Sequence, residues 1–243
     1  MDDLGHRRIR FIGDAHQRIR EDYLRILRFF RFMATIGDPA NGVDPQALAA
    51  CAEEADGIQN LARERVGQEM RKLLAAPNPA PAMASMAISG ILARVLPGAD
   101  ASVLAVLVHL EEQADVAPNW IRRLAVIGGE NVKDALRLSR PENRKIGLLL
   151  TKLASGQTLP QMAYKDGAEP AVDVMLLRAA TLGQPLALNL VATANTAAAQ
   201  VFPIKASDLR PAYEGERLGK KLSELQDAWI ASDFSLGKSD LLS

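Results

Sequence analysis

Apolar positions return every three or four residues along most of the chain, the period of helices packed on one face. Ile19, Tyr23, Ile26, Leu27, Phe30 and Met33 predict one helix from about Ile19 to Ile36, its broad apolar surface implying burial on two sides. Asp14 with Gln17 three residues on reads as the cap that starts it, and Gly37-Asp38-Pro39 ends it. A second helix, near Asp44–Glu54, opens with a cap and a first-turn proline, Asp44-Pro45. A third, near Asn60–Ala75, carries the row Val66, Met70, Leu73, Leu74. Pro77, Pro79 and Pro81 then make a stiff connection, where a domain boundary is placed. The same period predicts helices at Met83–Leu96, Ala101–Gln113, Trp120–Ile127, Val132–Leu138, Pro141–Ala154, Pro160–Lys165, Pro170–Thr181 and Pro185–Ala199. Two more are expected in Ser207–Phe234, around Gly215 and Gly219. Only the stretch ending Arg8-Ile9-Arg10-Phe11-Ile12-Gly13-Asp14 alternates, and it reads as an extended segment or strand edge. No alternating run is long enough for a central strand and no fixed repeat stands out, so the predicted fold is all-α.

Composition agrees. The 243 residues suffice for one large or two to three small domains. Scarce aromatics (5%) with abundant Ala and Leu lean helical. Lys+Arg and Asp+Glu balance at 29 each, so net charge does not decide for a polyanionic partner; its distribution says more. His6 to Arg31 holds eight Arg against three acids, and Ala117 to Lys152 eight Lys/Arg against three acids. Both are local basic stretches, readable as polyanion grips or as solvated helix faces. Cys51, the only cysteine, excludes a disulfide within the chain and reads as a small core residue. No stretch approaches the roughly 20 apolar residues of a membrane span, and charges pervade the N-terminus, so a cytoplasmic protein is expected.

The candidate chemistry lies in Glu21-Asp22-Tyr23-Leu24-Arg25-Ile26-Leu27-Arg28-Phe29-Phe30-Arg31. On one helix Asp22 and Arg25 would be neighbours, with Arg28 and Arg31 continuing the row. An ionised Asp only accepts hydrogen bonds and an Arg only donates. The pair is therefore complementary to cytosine and adenine, which present an amine beside a ring-nitrogen acceptor, and mismatched to guanine and uracil. Polar groups left unpaired by a wrong base can reject it by roughly 10⁴-fold. Arg28 and Arg31 could hold a triphosphate through charge-assisted bonds. The plainer alternative is an ion-pair ladder of Glu21 with Arg25 and Arg28. His6, His16 and His109 share no metal-ligand spacing, and no metal site is expected in this chain.

Residues Ile9–Asp14 followed by Arg18–Phe32 closely resemble the class II tRNA nucleotidyltransferases, the CCA-adding enzymes and their bacterial poly(A) polymerase relatives. Glu21-Asp22-x-x-Arg25 matches that family's nucleotide-selecting motif. Glu64-Arg65-Val66-Gly67-Gln68-Glu69-Met70-Arg71-Lys72-Leu73-Leu74 is similar to the helix signature of its neck domain. The resemblance implies that Asp22 and Arg25 read the base, that Arg28 and Arg31 bind the incoming CTP or ATP, and that Glu21 orients Arg25 or serves as a cap. Arg65 and Glu69 would be structural, bracing the nucleotide-binding helix. In the family the joining chemistry belongs to an N-terminal head with an Asp-x-Asp metal pair, and no Asp-x-Asp occurs in this sequence. The resemblance thus implies a neck, body and tail without that head: residues 1–14 a hinge segment, 15–78 the neck, 79–200 a helical body and 201–243 a helical tail. Mg²⁺ would serve the full-length enzyme only, since two-metal phosphoryl transfer needs closely spaced carboxylates.

The expected macromolecular partner is tRNA. Arg122, Arg123, Arg140, Arg144 and Lys145 are the candidates for backbone contacts with an acceptor stem. Ser207-Asp208-Leu209 with Gly215–Leu222, then Trp229-Ile230 and Phe234, resembles the family's tail. There Arg217, Lys220 and Lys221 are candidates, either as a glycine-led helix start holding a phosphate or as an ordinary helix connection. Poly(A) addition, or a helical RNA-binding module without a nucleotide site, are the alternatives.

Overall fold

Helix follows helix in the computed structural model, which describes residues 5–243 and contains no strand among them. The first four are α1 (Ala15–Glu21), α2 (Leu24–Thr35), α3 (Pro45–Glu53) and α4 (Arg63–Leu74). Next come α5 (Ala80–Ile88), α6 (Ile91–Val95), α7 (Leu104–Gln113), α8 (Trp120–Ile127), α9 (Val132–Ala135) and α10 (Arg140–Leu153). The series ends with α11 (Leu159–Asp166), α12 (Ala168–Leu182), α13 (Leu190–Ala198), α14 (Gly215–Ala231) and α15 (Lys238–Leu242). The expected caps are present: Asp14 Oδ1 accepts from Gln17 N–H at 2.7 Å and Asp44 Oδ1 from Ala47 N–H at 2.8 Å. No helix of the described residues is long and apolar enough to cross a membrane.

The chain forms two compact units, residues through Leu153 with Leu176–Pro185, and Ala154–Met175 with Leu186–Ser243. In the first, α2 packs on α4 through Ile26, Leu27 and Phe30 and the row Val66, Met70, Leu73, Leu74, all fully buried. Each such side chain contributes about 1.5–3 kcal/mol of burial energy. Cys51 on α3 is also fully buried, and burial pushes its thiol up to about 12. In the second unit Trp229 is ringed by Tyr164, Phe202 and Phe234 at centroid distances of 5.4, 5.4 and 4.8 Å. Of the two helices expected in Ser207–Phe234, the first is a short 3-10 helix (Ala206–Leu209) and the second, α14, runs unbroken through Gly219.

Two further expectations need correction. The helix predicted from Ile19 to Ile36 is two helices, broken at Asp22, whose backbone is extended (φ −159°, ψ 104°). The cause is tertiary: the Tyr23 ring sits where a Cβ on Gly57 would be, so the turn is seated against a residue with no side chain. Likewise Met83–Leu96 divides into α5 and α6 at Gly90, which takes a left-handed φ of 74°.

Arg122 and Arg123, expected on an RNA-facing surface, are each only 1% exposed. Both close on Glu111, itself 2% exposed: Arg122 Nε donates to Oε1 at 2.8 Å, and Arg123 Nε to Oε2 at 2.9 Å. Arg122 also reaches the Ala117 carbonyl at 2.8 Å. Arg123 Nη1 donates to the carbonyls of Leu74 (2.8 Å) and Ala76, and Nη2 to that of Pro77 (3.0 Å). These carbonyls lie at and just past the end of α4, where backbone acceptors lack helical partners and the dipole is negative. The pair is therefore interior structure and holds the C-terminus of α4.

Candidate nucleotide-reading site

The break between α1 and α2 decides the geometry of the acid–arginine row. Asp22 ends the first helix, and its Oδ1 accepts from Leu24 N–H, at the start of the next, at 3.1 Å. Its Oδ2 accepts from Arg65 Nη2 on α4 at 2.9 Å. Arg25 turns the other way: Nη1 donates to Glu21 Oε2 and to the Arg18 carbonyl at 2.7 Å. The side chains of Asp22 and Arg25 thus take different partners, while their backbones share a tight turn (Arg25 N–H to Asp22 O, 2.9 Å) instead of one continuous helix face. Both side chains are partly exposed.

Glu21 is held by two arginines, Arg18 at 2.7 Å and Arg25 at 2.5 Å. The hydrogen bond from Arg25, the largest influence, holds its carboxyl below the usual carboxylate range. The brace is therefore complete at neutral pH and is lost only as pH falls through that lowered value. Glu21 bonds Arg25, and the N-terminal cap of α1 is Asp14. Arg18 completes the arrangement through its side chain and carbonyl, and was not among the expected site residues. Its spacing of three from Glu21 was the available signal.

Arg28 and Arg31 converge on Glu69, which is 5% exposed. Arg31 Nε donates to Oε2 at 2.5 Å, while Arg28 Nε lies 3.8 Å from Oε1. Arg31 also lies over the Phe32 ring at 4.1 Å. Arg28 remains half-exposed. The two sequence signatures therefore meet in space. Arg65 on α4 takes the acid of the row, and Glu69, one turn on, takes its arginines. The far end of α4 is held as well: Arg71 pairs with Glu142 at 3.1 Å and faces the Trp120 ring at 5.2 Å.

The remaining basic candidates lie elsewhere. Arg140, Arg144 and Lys145 are exposed along α10 of the first unit. Arg217 and Lys220 are exposed on α14 of the second unit, where Lys221 lies 3.7 Å from Glu224. The start of α14 does not suit a phosphate, because Glu214 caps it and Glu216 occupies its first turn. No group of three His, Cys, Asp or Glu among the described residues is arranged to hold a metal ion.

Residues 42–103 match the family model described as "Probable RNA and SrmB- binding site of polymerase A". The mitochondrial CCA tRNA nucleotidyltransferase 1 of Danio rerio is 29% identical over 259 residues, covering 100% of this chain and 59% of that protein. The CCA-adding enzyme of Geobacillus stearothermophilus is 30% identical over 193 residues, 75% of this chain and 47% of that protein. This chain therefore spans about three-fifths or less of the length of these relatives. The fold is that of the Bacillus stearothermophilus CCA-adding enzyme in complex with CTP, with a TM-score of 0.68 and 24% identity over 96% of this chain and 63% of that one. Two signatures that meet in space, a matching helical fold and sequence similarity along the whole chain agree: this chain is similar to the neck-to-tail part of the CCA-adding tRNA nucleotidyltransferases.

Proposed function

We propose that this chain is the nucleotide-selecting and RNA-gripping part of an RNA nucleotidyltransferase that adds CCA to tRNA 3′ ends. The observation that carries the reading is the turn at Asp22–Arg25, which places an acceptor-only and a donor-only side chain, both partly exposed, within one backbone turn. Asp22 accepts from the exocyclic amine of cytosine or adenine, and Arg25 donates to the adjacent ring nitrogen. Arg28 and Arg31 bind the triphosphate with the donors that Glu69 leaves to them. Joining the nucleotide requires carboxylate-held Mg²⁺, a role this reading assigns to the full-length enzyme. The role proposed here is choice and grip. The test is equilibrium binding of CTP, ATP, UTP and GTP to this chain: CTP and ATP are expected to bind saturably and UTP and GTP poorly, whereas equal weak binding of all four refutes the reading.

Arg140, Arg144 and Lys145 are proposed to track the RNA backbone, with Arg217, Lys220 and Lys221 as further contacts. Replacing Arg140, Arg144 and Lys145 together by Gln is expected to weaken tRNA binding at low salt. It should also flatten log K against log [salt] by about 0.7–0.9 for each phosphate that is no longer neutralised. Filter binding across a salt series measures both, and an unchanged slope removes α10 from the interface. A second reading, poly(A) addition, is favoured by the description of the family model that residues 42–103 match. The full-length enzyme would then extend RNA with A alone.

A further inference from the structure

We propose that the groove between α5 and the start of α7 is a self-association surface. It takes Ile88 of a second copy of this chain, while its own Ile88 enters the groove of that copy. None of the residues involved belongs to the nucleotide-reading site, so the proposal stands independently of that reading.

From Leu73 to Leu110 the only Asp, Glu, Lys or Arg residues are Arg94 and Asp100, in a chain that is 24% charged. Much of this stretch is core, but its solvent-facing side is apolar as well. Ile88, the last residue of α5, is 86% exposed, and Val106 on α7 is 46% exposed. Apolar side chains exposed singly are ordinary on a soluble protein. Ile88 is not alone: it stands at the rim of a groove of about 470 Å³. Ala84 and Ala87 of α5 line one side of the groove, and Ala101 and Ala105 the side of α7. Small side chains leave the hollow open, and a large one projects beside it. A contiguous apolar surface of this kind marks a place where another molecule is buried.

The chemistry of the groove selects its occupant. No Lys or Arg is among the described residues that line it, so it has no cation for a phosphate backbone. Its one charge is Asp100, and Ser102 engages both carboxylate oxygens. Oδ1 accepts from the Ser102 N–H at 2.8 Å and Oδ2 from its hydroxyl at 2.9 Å. A two-fold contact brings one patch against the same patch of its partner, residue i meeting j while j meets i. A strongly charged face would there meet its own sign, whereas this face meets apolar surface. The contact also requires a projection and a hollow on one and the same face. Ile88 beside the alanine-lined groove supplies both.

The experiment is sedimentation equilibrium of the full chain over a concentration series, beside Ile88→Ala, Ile88→Glu, Ala105→Glu and the control Leu188→Glu. Each variant is checked for helicity by circular dichroism. Leu188 is 99% exposed and lies in the second unit, away from this face in the chain. The average mass is expected to rise from monomer to dimer with concentration. Ile88→Ala should weaken the dimer roughly tenfold, the size of a truncated apolar contact. Ile88→Glu and Ala105→Glu, which bury a charge in an apolar contact, should abolish it, and Leu188→Glu should leave it intact. A mixture of Ile88→Cys and Ala105→Cys chains should be linked by a short bismaleimide faster than either chain alone, the native Cys51 being buried. A chain that stays monomeric up to about 1 mM would overturn the proposal and leave the groove to an unlike protein. A dimer that both glutamate variants leave intact would overturn it as well, by placing the contact elsewhere. Cross-linking no faster in the mixture would refute the seating of Ile88 in the facing groove.

Discussion

Glu111→Ala is expected to destabilise the first unit by about 3–5 kcal/mol, the cost of removing one partner from a buried charge cluster. The carboxylate is the counter-charge for two guanidinium groups that are each 1% exposed. Without it, Arg122 and Arg123 face each other as like charges with no water to solvate them. A buried ion pair can often be exchanged for apolar residues without destabilising the fold; this one resists the exchange. Arg123 also supplies the donors for the carbonyls of Leu74, Ala76 and Pro77, so an apolar replacement would orphan backbone acceptors at the end of α4. Urea unfolding followed by circular dichroism measures the effect as a fall in midpoint with the slope retained. A change below about 1 kcal/mol, the size typical of a surface pair, would show that the cluster is not buried in solution.

The second large effect concerns selection. Arg25→Ala is expected to weaken CTP and ATP binding by roughly 10–100-fold, the range for losing a hydrogen bond from a charged donor. UTP and GTP, which gain nothing from that donor, should change little. The mark of base reading is therefore a collapse of the ratio and not a uniform weakening. Arg28→Ala, acting on a triphosphate common to all four, should weaken all four alike and is the internal control. Titration of the four nucleotides into each variant reads both outcomes. A ratio untouched by Arg25→Ala would leave the row as an ion-pair ladder between Glu21 and its arginines.

The sequence made the fold class and much of the core legible because helical periodicity is local. The row Val66, Met70, Leu73, Leu74 is buried throughout, the caps Asp14 and Asp44 make their bonds, and α8 has the predicted bounds Trp120–Ile127. The break at Asp22 was not legible, since no Gly or Pro marks it. It depends on Tyr23 meeting Gly57 and on Asp22 meeting Arg65, contacts between residues far apart in the chain. The burial of Arg122 and Arg123 was not legible from charge counted along the chain without regard to register. The signal lay in their partner. Glu111 follows Leu104, Leu107 and Val108 at the i, i+3, i+4, i+7 positions of a buried stripe. Glu69 occupies the same kind of position among Val66, Met70 and Leu73. A carboxylate in a core register announces a cation that closes on it, and in both cases that cation bears on α4.

The hold of Arg123 on the last carbonyls of α4 also bears on how the first unit opens. A helix whose end is tied to a buried guanidinium cannot fray there without exposing that charge's own partners, so the usual low-energy opening of a helix terminus is closed to it. Backbone amides in the last turn of α4 should exchange with deuterium at rates close to those of α7 and α8, as one cooperative set, and faster in Glu111→Ala. Selection by the row at Asp22–Arg31 would then draw its constancy from a part of the molecule that never meets a nucleotide.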